Sequence, residues 1–384
     1  MSTISVYCQT FKALKSMENL LPSVSHYEDE ARRKLSQHDF GYFAFAAGAR
    51  ETMKENCEAF KRWRFRPKNL QNVSRVDCAT TVIGSKIPFP ICIAPTAFHR
   101  LCTQEGEFCT ARAAESLGVG MAVSLWSNKT MEEIASDVPN CIKWCHVQLS
   151  KNRNLTKHFV RRAEQNGFKG FIVTIDEPVF RNRTHRYEDG SPFTFKTSIV
   201  SRNIAQSIKF VEPDKPHFAS FQSWMDGSVE WDSIDWLKDI TILPVVVKGI
   251  LTGEMALKAV DHKVDGIIVS NHGGRILDST FATIDVLPEV VKAVNCRVDV
   301  YFDGGIRKGT DVAKAIALGA KAIFVGRPIL WGLACKGEEG VRNVLEILRN
   351  EFIHTMRLLG VSTIEELQTT PDIVVHETRY FSKL

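Results

Sequence analysis

The sequence predicts an α/β fold, a (β/α)8 TIM barrel, and two regularities carry this prediction. The first is a set of eight short runs rich in Val and Ile, near-continuously apolar as strands buried on both faces must be. The second is the amphipathic character of the segments between these runs. Strands that alternate strictly with helices pair in parallel through right-handed crossovers, and eight such units close a barrel.

The eight apolar runs define the expected strands. They are PICIAPT (90–96), VGMAVSL (119–125), IKWCHVQL (142–149), GFIVTID (170–176), ILPVVVKG (242–249), GIIVSNHG (266–273), VDVYFDGG (298–305) and AIFVGRP (322–328). Amphipathic segments at 105–118, 154–167, 253–263 and 311–320 are the clearest predicted helices. Several of them stop at a glycine, the residue preferred just beyond a helix C-terminus.

Three further segments complete the expected organisation. Residues 1–75 are predicted to form a mostly helical N-terminal extension that packs across the base of the barrel. The barrel itself is predicted to span residues 76–360. The connection after the fourth strand, 177–232, is long enough to predict a functional lid, with a disordered tether as the alternative. Residues 361–384 form a polar C-terminal tail.

Composition narrows the class of protein. Hydrophobic residues make up 44% of the chain and charged residues 24%, which is typical of a globular protein. The net charge of +5 is spread over Lys and Arg that lie among acidic residues, so no nucleic-acid partner is expected. The ten cysteines include no C-x-x-C pair and predict reduced thiols in a reducing compartment. No 18-residue apolar run or signal peptide is recognisable, so we expect neither a membrane span nor secretion.

The last three residues carry a targeting signal. Ser382, Lys383 and Leu384 match the C-terminal tripeptide that the peroxisomal import receptor reads. We therefore expect a peroxisomal location and that receptor as a partner. A chance match in a cytosolic protein is the alternative.

Polar residues close every apolar run. Active sites of barrel enzymes lie at the carboxyl ends of the strands, so these residues are the candidates for function. They are Thr96, Ser124, Gln148, Thr174, Asp176, Lys248, Ser270, His272, Arg275, Asp303, Arg307, Gly326 and Arg327. Because the pattern recurs at eight consecutive strands, it predicts one shared site rather than eight unrelated loop starts.

The last two strands end in DGGIRKG (303–309) and GRP (326–328). Glycines there let backbone amides approach an anion, Arg307 and Arg327 add positive charge, and barrels commonly hold phosphate after strands seven and eight. The pattern predicts a phosphate-bearing ligand, either a flavin or another nucleotide. Tight turns that need glycine for their own geometry are the alternative.

The motif SNHGGR (270–275) follows the sixth strand. His272 can take a proton there, and Arg275 can bind a carboxylate in a bidentate fork. H-x-x-H and H-E-x-x-H spacings are absent from the sequence, so no metal site is expected. Lys248, after the apolar PVVV run, can place a positive charge beside an anionic ring or oxyanion, with Schiff-base formation as its alternative role.

These motifs together resemble one family. APTA (94–97), VTIDEP (173–178), VVKGI (246–250), SNHGGR and the stretch 303–328 resemble the FMN-dependent 2-hydroxy acid oxidases, the glycolate and lactate oxidase family. The resemblance implies that His272 is the catalytic base and that Asp176 pairs with it. It implies that Arg183 and Arg275 bind the substrate carboxylate and that Lys248 lies near N1 and O2 of the flavin.

The resemblance also implies a set of FMN contacts. They come from Pro95, Thr96, Ala97, Ser124, His146, Thr174, Lys248, Ser270, Asp303, Gly304, Gly305, Ile306, Arg307, Gly326 and Arg327. Ala97 matches the residue of members that use oxygen, where dehydrogenase relatives tend to have Gly.

Three positions depart from the family pattern. Ala44, with Tyr42 and Phe45 nearby, stands where typical members have a substrate-side tyrosine. Gln148 replaces a second substrate-side tyrosine, and His146 replaces a glutamine that contacts the flavin. Each lost phenol removes a hydrogen bond worth about 1–3 kcal/mol when it is buried. We therefore expect an altered, roomier pocket, which makes medium or long 2-hydroxy acids candidate substrates beside small ones.

The expected activity is oxidation of an (S)-2-hydroxy acid to the 2-oxo acid, with oxygen reduced to hydrogen peroxide. One alternative is an FMN-dependent dehydrogenase that passes electrons to another acceptor. Another is a flavin-binding pseudoenzyme, suggested by the changes at Ala44, His146 and Gln148. The resemblance implies a homotetramer.

Overall fold

The computed structural model describes residues 20–179, 201–211 and 226–381. The strands in chain order are β1 (Trp63–Phe65), β2 (Thr80–Val82), β3 (Ser85–Ile87), β4 (Ile91–Ile93), β5 (Gly120–Val123), β6 (Ile142–Val147), β7 (Phe171–Thr174), β8 (Val245–Ile250), β9 (Gly266–Val269), β10 (Asp299–Asp303), β11 (Ala322–Val325) and β12 (Val374–His376). The α-helices are α1 (Val24–Lys34), α2 (Gln37–Ala44), α3 (Glu51–Glu58), α4 (Glu107–Leu117), α5 (Met131–Asp137), α6 (Arg153–Gln165), α7 (Arg202–Val211), α8 (Asp232–Asp239), α9 (Gly253–Asp261), α10 (Thr283–Val294), α11 (Gly309–Ala317), α12 (Arg327–Leu359), α13 (Ile364–Thr369) and α14 (Glu377–Phe381).

Strands β4 to β11 form a closed barrel. Each pairs in parallel with the next along the chain, and β11 pairs with β4 to complete the ring. The eight predicted strands are therefore confirmed, and each of the four predicted helical segments contains or overlaps a helix that packs outside the barrel. Parallel pairing brings all eight carboxyl ends to one mouth, which is where the candidate residues were expected to meet.

The barrel interior is filled by apolar side chains, and a short hairpin closes its base. Trp144, Tyr301 and Phe324 are buried inside the ring. The β2–β3 hairpin adds Ile83 to this cluster, and the Ile83 backbone N–H donates to the Tyr301 hydroxyl at 2.9 Å. A packed interior of this kind makes the barrel a rigid support for the mouth rather than a channel.

The N-terminal extension lies elsewhere than expected. Helix α1 runs beside α12, where Lys34 Nζ donates to the Cys335 carbonyl at 2.7 Å and Asn343 Nδ2 to the Tyr27 hydroxyl at 2.8 Å. Helices α2 and α3 continue to the loop after β9, at the carboxyl end of the barrel. For residues 20–75 the prediction that the extension crosses the base is wrong, because the apolar β2–β3 hairpin already fills that position.

Part of the connection 177–232 is a helix docked on the barrel. Ile204 and Ile208 of α7 are buried, and Arg162 of α6 donates to the Asn203 carbonyl and the Ser207 hydroxyl, both at 3.0 Å. For residues 201–211 the tether alternative is wrong. That the whole connection acts as a lid stays a prediction.

The chain after 360 is tied to the extension. Strand β12 pairs antiparallel with β1, with Trp63 opposite His376. The division into 1–75, 76–360 and 361–384 stays a prediction, and residues 382–384 lie outside the described ranges. Within those ranges, no helix has both the length and the apolar character needed to cross a bilayer.

Candidate active site

A single cleft at the barrel mouth collects most of the predicted site residues. The cleft is lined by residues from the carboxyl ends of all eight barrel strands and by residues of α2. Its predicted lining residues are Pro95, Thr96, Ala97, Ser124, His146, Gln148, Thr174, Lys248, His272, Arg275, Asp303, Gly304, Gly305, Ile306, Arg307, Gly326 and Arg327. Ser270 and Asp176 support this lining from behind, and Arg183 lies outside the described residues.

His272 and Asp176 form a hydrogen-bonded pair across two strand ends. His272 Nδ1 lies 2.9 Å from Asp176 Oδ1. The close approach of Asp176 depends on Gly249, where φ is +117° and an added Cβ would lie 2.7 Å from the Asp176 Cβ. A carboxylate on Nδ1 orients the ring and stabilises its charged form, which leaves proton transfer to Nε2.

Lys248 provides a buried positive charge beneath the cleft. Its Nζ donates to the Ser270 hydroxyl at 2.8 Å and lies 3.3 Å from Asp303 Oδ2. Burial alone would lower the pKa of Lys248, but the carboxylates of Asp303 and Asp176 outweigh burial and raise it. The side chain is therefore a cation, whereas Schiff-base formation needs a neutral amine, so the electrostatic role is favoured.

His146 is a neutral histidine that joins β6 to β7. Its Nδ1 accepts from the Leu125 backbone N–H at 3.4 Å, so Nε2 carries the proton and donates to the Thr174 hydroxyl at 2.8 Å. Burial, followed by the positive charges of Lys248 and His272, lowers the pKa of His146 to about 3. The replacement of the family glutamine therefore keeps an uncharged hydrogen-bonding group at this position.

We expect His146→Gln to reduce the loss of stability on mild acidification. The folded-state pKa of His146 lies below the unfolded value of about 6.5, so the unfolded chain binds more protons and stability falls as the pH drops below that value. Between pH 7 and pH 5 this contributes roughly 2 kcal/mol of destabilisation, which Gln cannot contribute. Urea unfolding of both FMN-loaded proteins at the two pH values measures the difference. Equal losses in the two proteins would contradict the assignment of a neutral His146.

Gln148 belongs to a hydrogen-bonded row that the sequence analysis did not anticipate. Trp126 Nε1 donates to Gln148 Oε1 at 2.7 Å, and Gln148 Nε2 donates to Glu177 Oε2 at 3.0 Å. Trp126 and Glu177 also line the cleft. Trp126 lies two residues after Ser124, and Glu177 lies one residue after Asp176. Because both follow strand ends, their positions could have identified them as cleft residues from the sequence.

The guanidinium groups of Arg275 and Arg327 converge on the end of α2. Arg275 Nη1 donates to the Phe43 carbonyl at 3.0 Å, and Arg327 Nη2 donates to the Phe45 carbonyl at 2.8 Å. The Arg275 guanidinium also lies 5.6 Å from the centre of the Tyr42 ring. Helix α2 of the extension thereby forms one wall of the cleft.

The position of α2 bears on the expectation at Ala44, where the family has a substrate-side tyrosine. Tyr42 lines the cleft and packs on Phe98 with ring centres 5.7 Å apart, whereas Ala44 is not among the described lining residues. Tyr42, two positions before Ala44, therefore contributes an aromatic ring to this side of the pocket, together with Phe43 and Phe98. That the pocket is roomier than in typical family members stays a prediction.

The glycines after β10 are required by the protein's own packing. Gly304 and Gly305 have φ of +106° and +77°, and a Cβ on Gly305 would lie 1.9 Å from the Asn56 carbonyl oxygen. The backbone N–H groups of Arg307 and Lys308 both donate to Asp311 at 3.0 Å, at the start of α11. The tight-turn explanation thus accounts for these two glycines, independently of any ligand.

The groups around the cleft nevertheless fit FMN. Arg307 and Arg327 stand where α11 and α12 begin, which suits a phosphate, and the buried Lys248 at the floor suits an electron-rich ring. Asp303 Oδ1 is buried and has no hydrogen-bond partner among the described residues, so an acceptor is left for a ligand N–H or O–H. FMN has a phosphate at one end and an electron-rich ring at the other, and this cleft offers a suitable group to each.

A buried amide pair connects the extension to the loop that carries His272. Asn56 Nδ2 donates to Asn271 Oδ1, and Asn271 Nδ2 donates to Asn56 Oδ1, both at 2.8 Å. Asn271 Oδ1 also accepts from the Gly274 backbone N–H at 3.3 Å. Since His272 has a left-handed φ of +56°, this pair helps to hold the ring in an unusual backbone conformation.

We expect Asn56→Ala to cost about 1–3 kcal/mol of unfolding free energy, because the buried Asn271 amide loses its partner. We also expect slower flavin reduction at saturating substrate, because the His272 loop loses its support. Urea unfolding and rapid-mixing absorbance measure the two effects, and the exposed Asn140→Ala serves as control. A stable Asn56→Ala protein with native reduction kinetics would show that the pair does not position His272.

The fold and the site together define a flavin-dependent oxidoreductase built on a TIM barrel, and comparison with known proteins agrees. The family model for FMN-dependent dehydrogenases matches residues 31–375. A 2-hydroxyacid oxidase 1 of Mus musculus is 43% identical over 91% of this chain and 96% of its own. A peroxisomal (S)-2-hydroxyacid oxidase of Arabidopsis thaliana is 43% identical over 90% of this chain and 94% of its own.

Solved structures of a mandelate oxidase have the same fold. One has a TM-score of 0.82 and 33% identity, and the match covers 91% of this chain and 97% of the mandelate oxidase. The chain belongs to the FMN-dependent dehydrogenase family, and its cofactor is FMN.

Proposed function

We propose that this protein oxidises (S)-2-hydroxy acids to 2-oxo acids with oxygen as the electron acceptor. The observation that carries the proposal is the His272–Asp176 pair at 2.9 Å, in the same cleft as Arg275 and Lys248. The substrate loses two electrons and two protons, and oxygen gains them as hydrogen peroxide. Bound FMN supplies the two-electron acceptor for the substrate.

Each side chain has a defined task in this proposal. His272 takes the substrate proton on Nε2, and Asp176 stabilises the resulting imidazolium through Nδ1. Arg275 and Arg183 bind the substrate carboxylate, a planar geometry that Lys would not reproduce. Lys248 holds a positive charge at the floor of the cleft, where negative charge develops during the reaction.

The cofactor is held by the remaining cleft residues. Arg307, Arg327 and the backbone of Gly304 and Gly305 would bind the phosphate end. The ring end would contact groups on the first six barrel strands, namely Pro95, Thr96, Ala97, Ser124, His146, Thr174, Lys248 and Ser270.

Anaerobic titration of the purified yellow protein tests this function. Glycolate, lactate and longer 2-hydroxy acids are mixed with the protein while the flavin absorbance is followed. At least one of them is expected to bleach the flavin, and admission of oxygen is expected to restore the colour with formation of peroxide. Bleaching by none would favour the pseudoenzyme, and reoxidation only by an artificial acceptor would favour the dehydrogenase.

Location and assembly are part of the same proposal. Peroxide would be formed in a peroxisome, to which Ser382-Lys383-Leu384 would direct the chain. A fluorescent fusion with a free C-terminus is expected in peroxisomes, and deletion of the three residues is expected to disperse it. Light scattering of the purified protein tests the expected homotetramer.

A further inference from the structure

Trp126, Gln148 and Glu177 form a hydrogen-bonded row on one side of the cleft, which we call the polar wall. An indole N–H can only donate, so the Gln148 oxygen faces Trp126 and its NH2 group faces Glu177. Gln148 is only 4% exposed, and its amide is held from both sides. The wall therefore includes a carboxylate that lines the cleft.

This carboxylate shares the cleft with the groups assigned to the reaction. Glu177 directly follows Asp176, the partner of His272. Its negative charge also contributes to raising the pKa of the buried Lys248, after the larger effects of burial, Asp303 and Asp176. Glu177 lines the same cleft as Lys248 and His272.

The polar wall has a chemical preference. An ionised carboxylate only accepts hydrogen bonds, so it complements a donor and repels a second anion. A hydrogen bond to a charged group is worth about 1.5–3 kcal/mol, so a substrate that supplies a donor gains roughly 10- to 100-fold over one that presents a methyl group. A site built around such a bond rejects the analogue that lacks it.

We infer that the polar wall makes Glu177 a specificity-determining residue that selects 2-hydroxy acids with a hydroxyl group on C3. This inference rests on the proposed function and adds the substrate class. The C3 hydroxyl donates to the Glu177 carboxylate, while the substrate carboxylate is bound by Arg275.

The test compares two substrates that differ by one oxygen atom, L-glycerate and L-lactate. In the native FMN-loaded enzyme, kcat/KM for glycerate is expected to exceed that for lactate about 10- to 100-fold. In Glu177→Leu the ratio is expected to fall to about one, and in Glu177→Gln to an intermediate value. Taking the ratio within each protein cancels differences in FMN content. The exposed Glu254→Leu, on the outer helix α9, should keep the native ratio.

A binding measurement supports the kinetics without turnover. The products hydroxypyruvate and pyruvate differ by the same hydroxyl, and their Kd values can be measured from the visible spectrum of the oxidised flavin. Hydroxypyruvate is expected to bind more tightly to the native protein, and Glu177→Leu is expected to remove that difference.

The outcomes separate this inference from the proposed function. Oxidation of both substrates with a ratio near or below one, or a preference unchanged in Glu177→Leu, would overturn the role of the polar wall and leave the oxidase function intact. Absence of flavin bleaching by every 2-hydroxy acid would overturn both.

Discussion

His272→Ala is expected to slow anaerobic flavin reduction by a 2-hydroxy acid by about 10²- to 10⁴-fold, the usual contribution of a positioned general base. The protein should remain yellow, because Lys248, Arg307 and Arg327 stay in place to hold FMN. Rapid mixing of the variant with substrate under anaerobic conditions, followed by flavin absorbance, measures the rate directly.

A second His–Asp pair provides the matched control. His262 Nδ1 lies 2.8 Å from Asp235 Oδ2, and its ring stacks on Trp231, away from the residues that line the cleft. His262→Ala removes the same type of pair and should leave the reduction rate unchanged. A His272→Ala enzyme that reduced its flavin at a rate close to the native one would show that another group takes the proton.

Lys248→Met is expected to cost about 3–5 kcal/mol of unfolding free energy, because it leaves the Asp303 carboxylate buried without its cation. The Lys248 and Asp303 side chains are only 5% and 9% exposed. Burial already raises the pKa of Asp303, and loss of Lys248 would raise it further. A group whose pKa is raised on folding destabilises the fold as the pH rises, so the cost should be larger at pH 8 than at pH 5.

Two further variants separate this electrostatic effect from loss of packing. Lys248→Met combined with Asp303→Asn removes the unpaired charge and should recover part of the lost stability. Lys143 is also buried, but it donates to the carbonyls of Val138 and Cys141 rather than to a carboxylate. Adding Asp303→Asn to Lys143→Met should therefore recover no unfolding free energy. Urea unfolding of the single and double variants tests this, and absence of recovery in the Lys248→Met background would contradict the charge argument.

The sequence predicted the cleft residues well because of one property of the fold. Parallel strands in a closed barrel bring all their carboxyl ends together, so a position just beyond a strand end is enough to place a residue at the mouth. His272, Lys248 and Asp303 could be assigned in this way from single strands. The assignment needed no knowledge of the loops.

Contacts between loops were not predictable in the same way. Tyr42 rather than Ala44 lines the cleft because of how α2 is anchored by Arg275 and Arg327. The hydrogen bond from Gln148 to Glu177 depends on where two separate loops leave their strands. The periodicity of apolar side chains does not indicate how far apart two loops lie when they are not neighbours in sequence.

The sequence by itself determined the barrel, the position of its mouth and the chemical groups gathered there, since strand and helix patterning are local properties. Only the tertiary structure decided that a hairpin closes the base, that α2 forms a cleft wall, and that Trp126, Gln148 and Glu177 form a row. The reason is that each of these depends on packing between segments far apart in the chain. The free energy of such packing depends on shape complementarity and on hydrogen-bond partners rather than on local secondary-structure propensity.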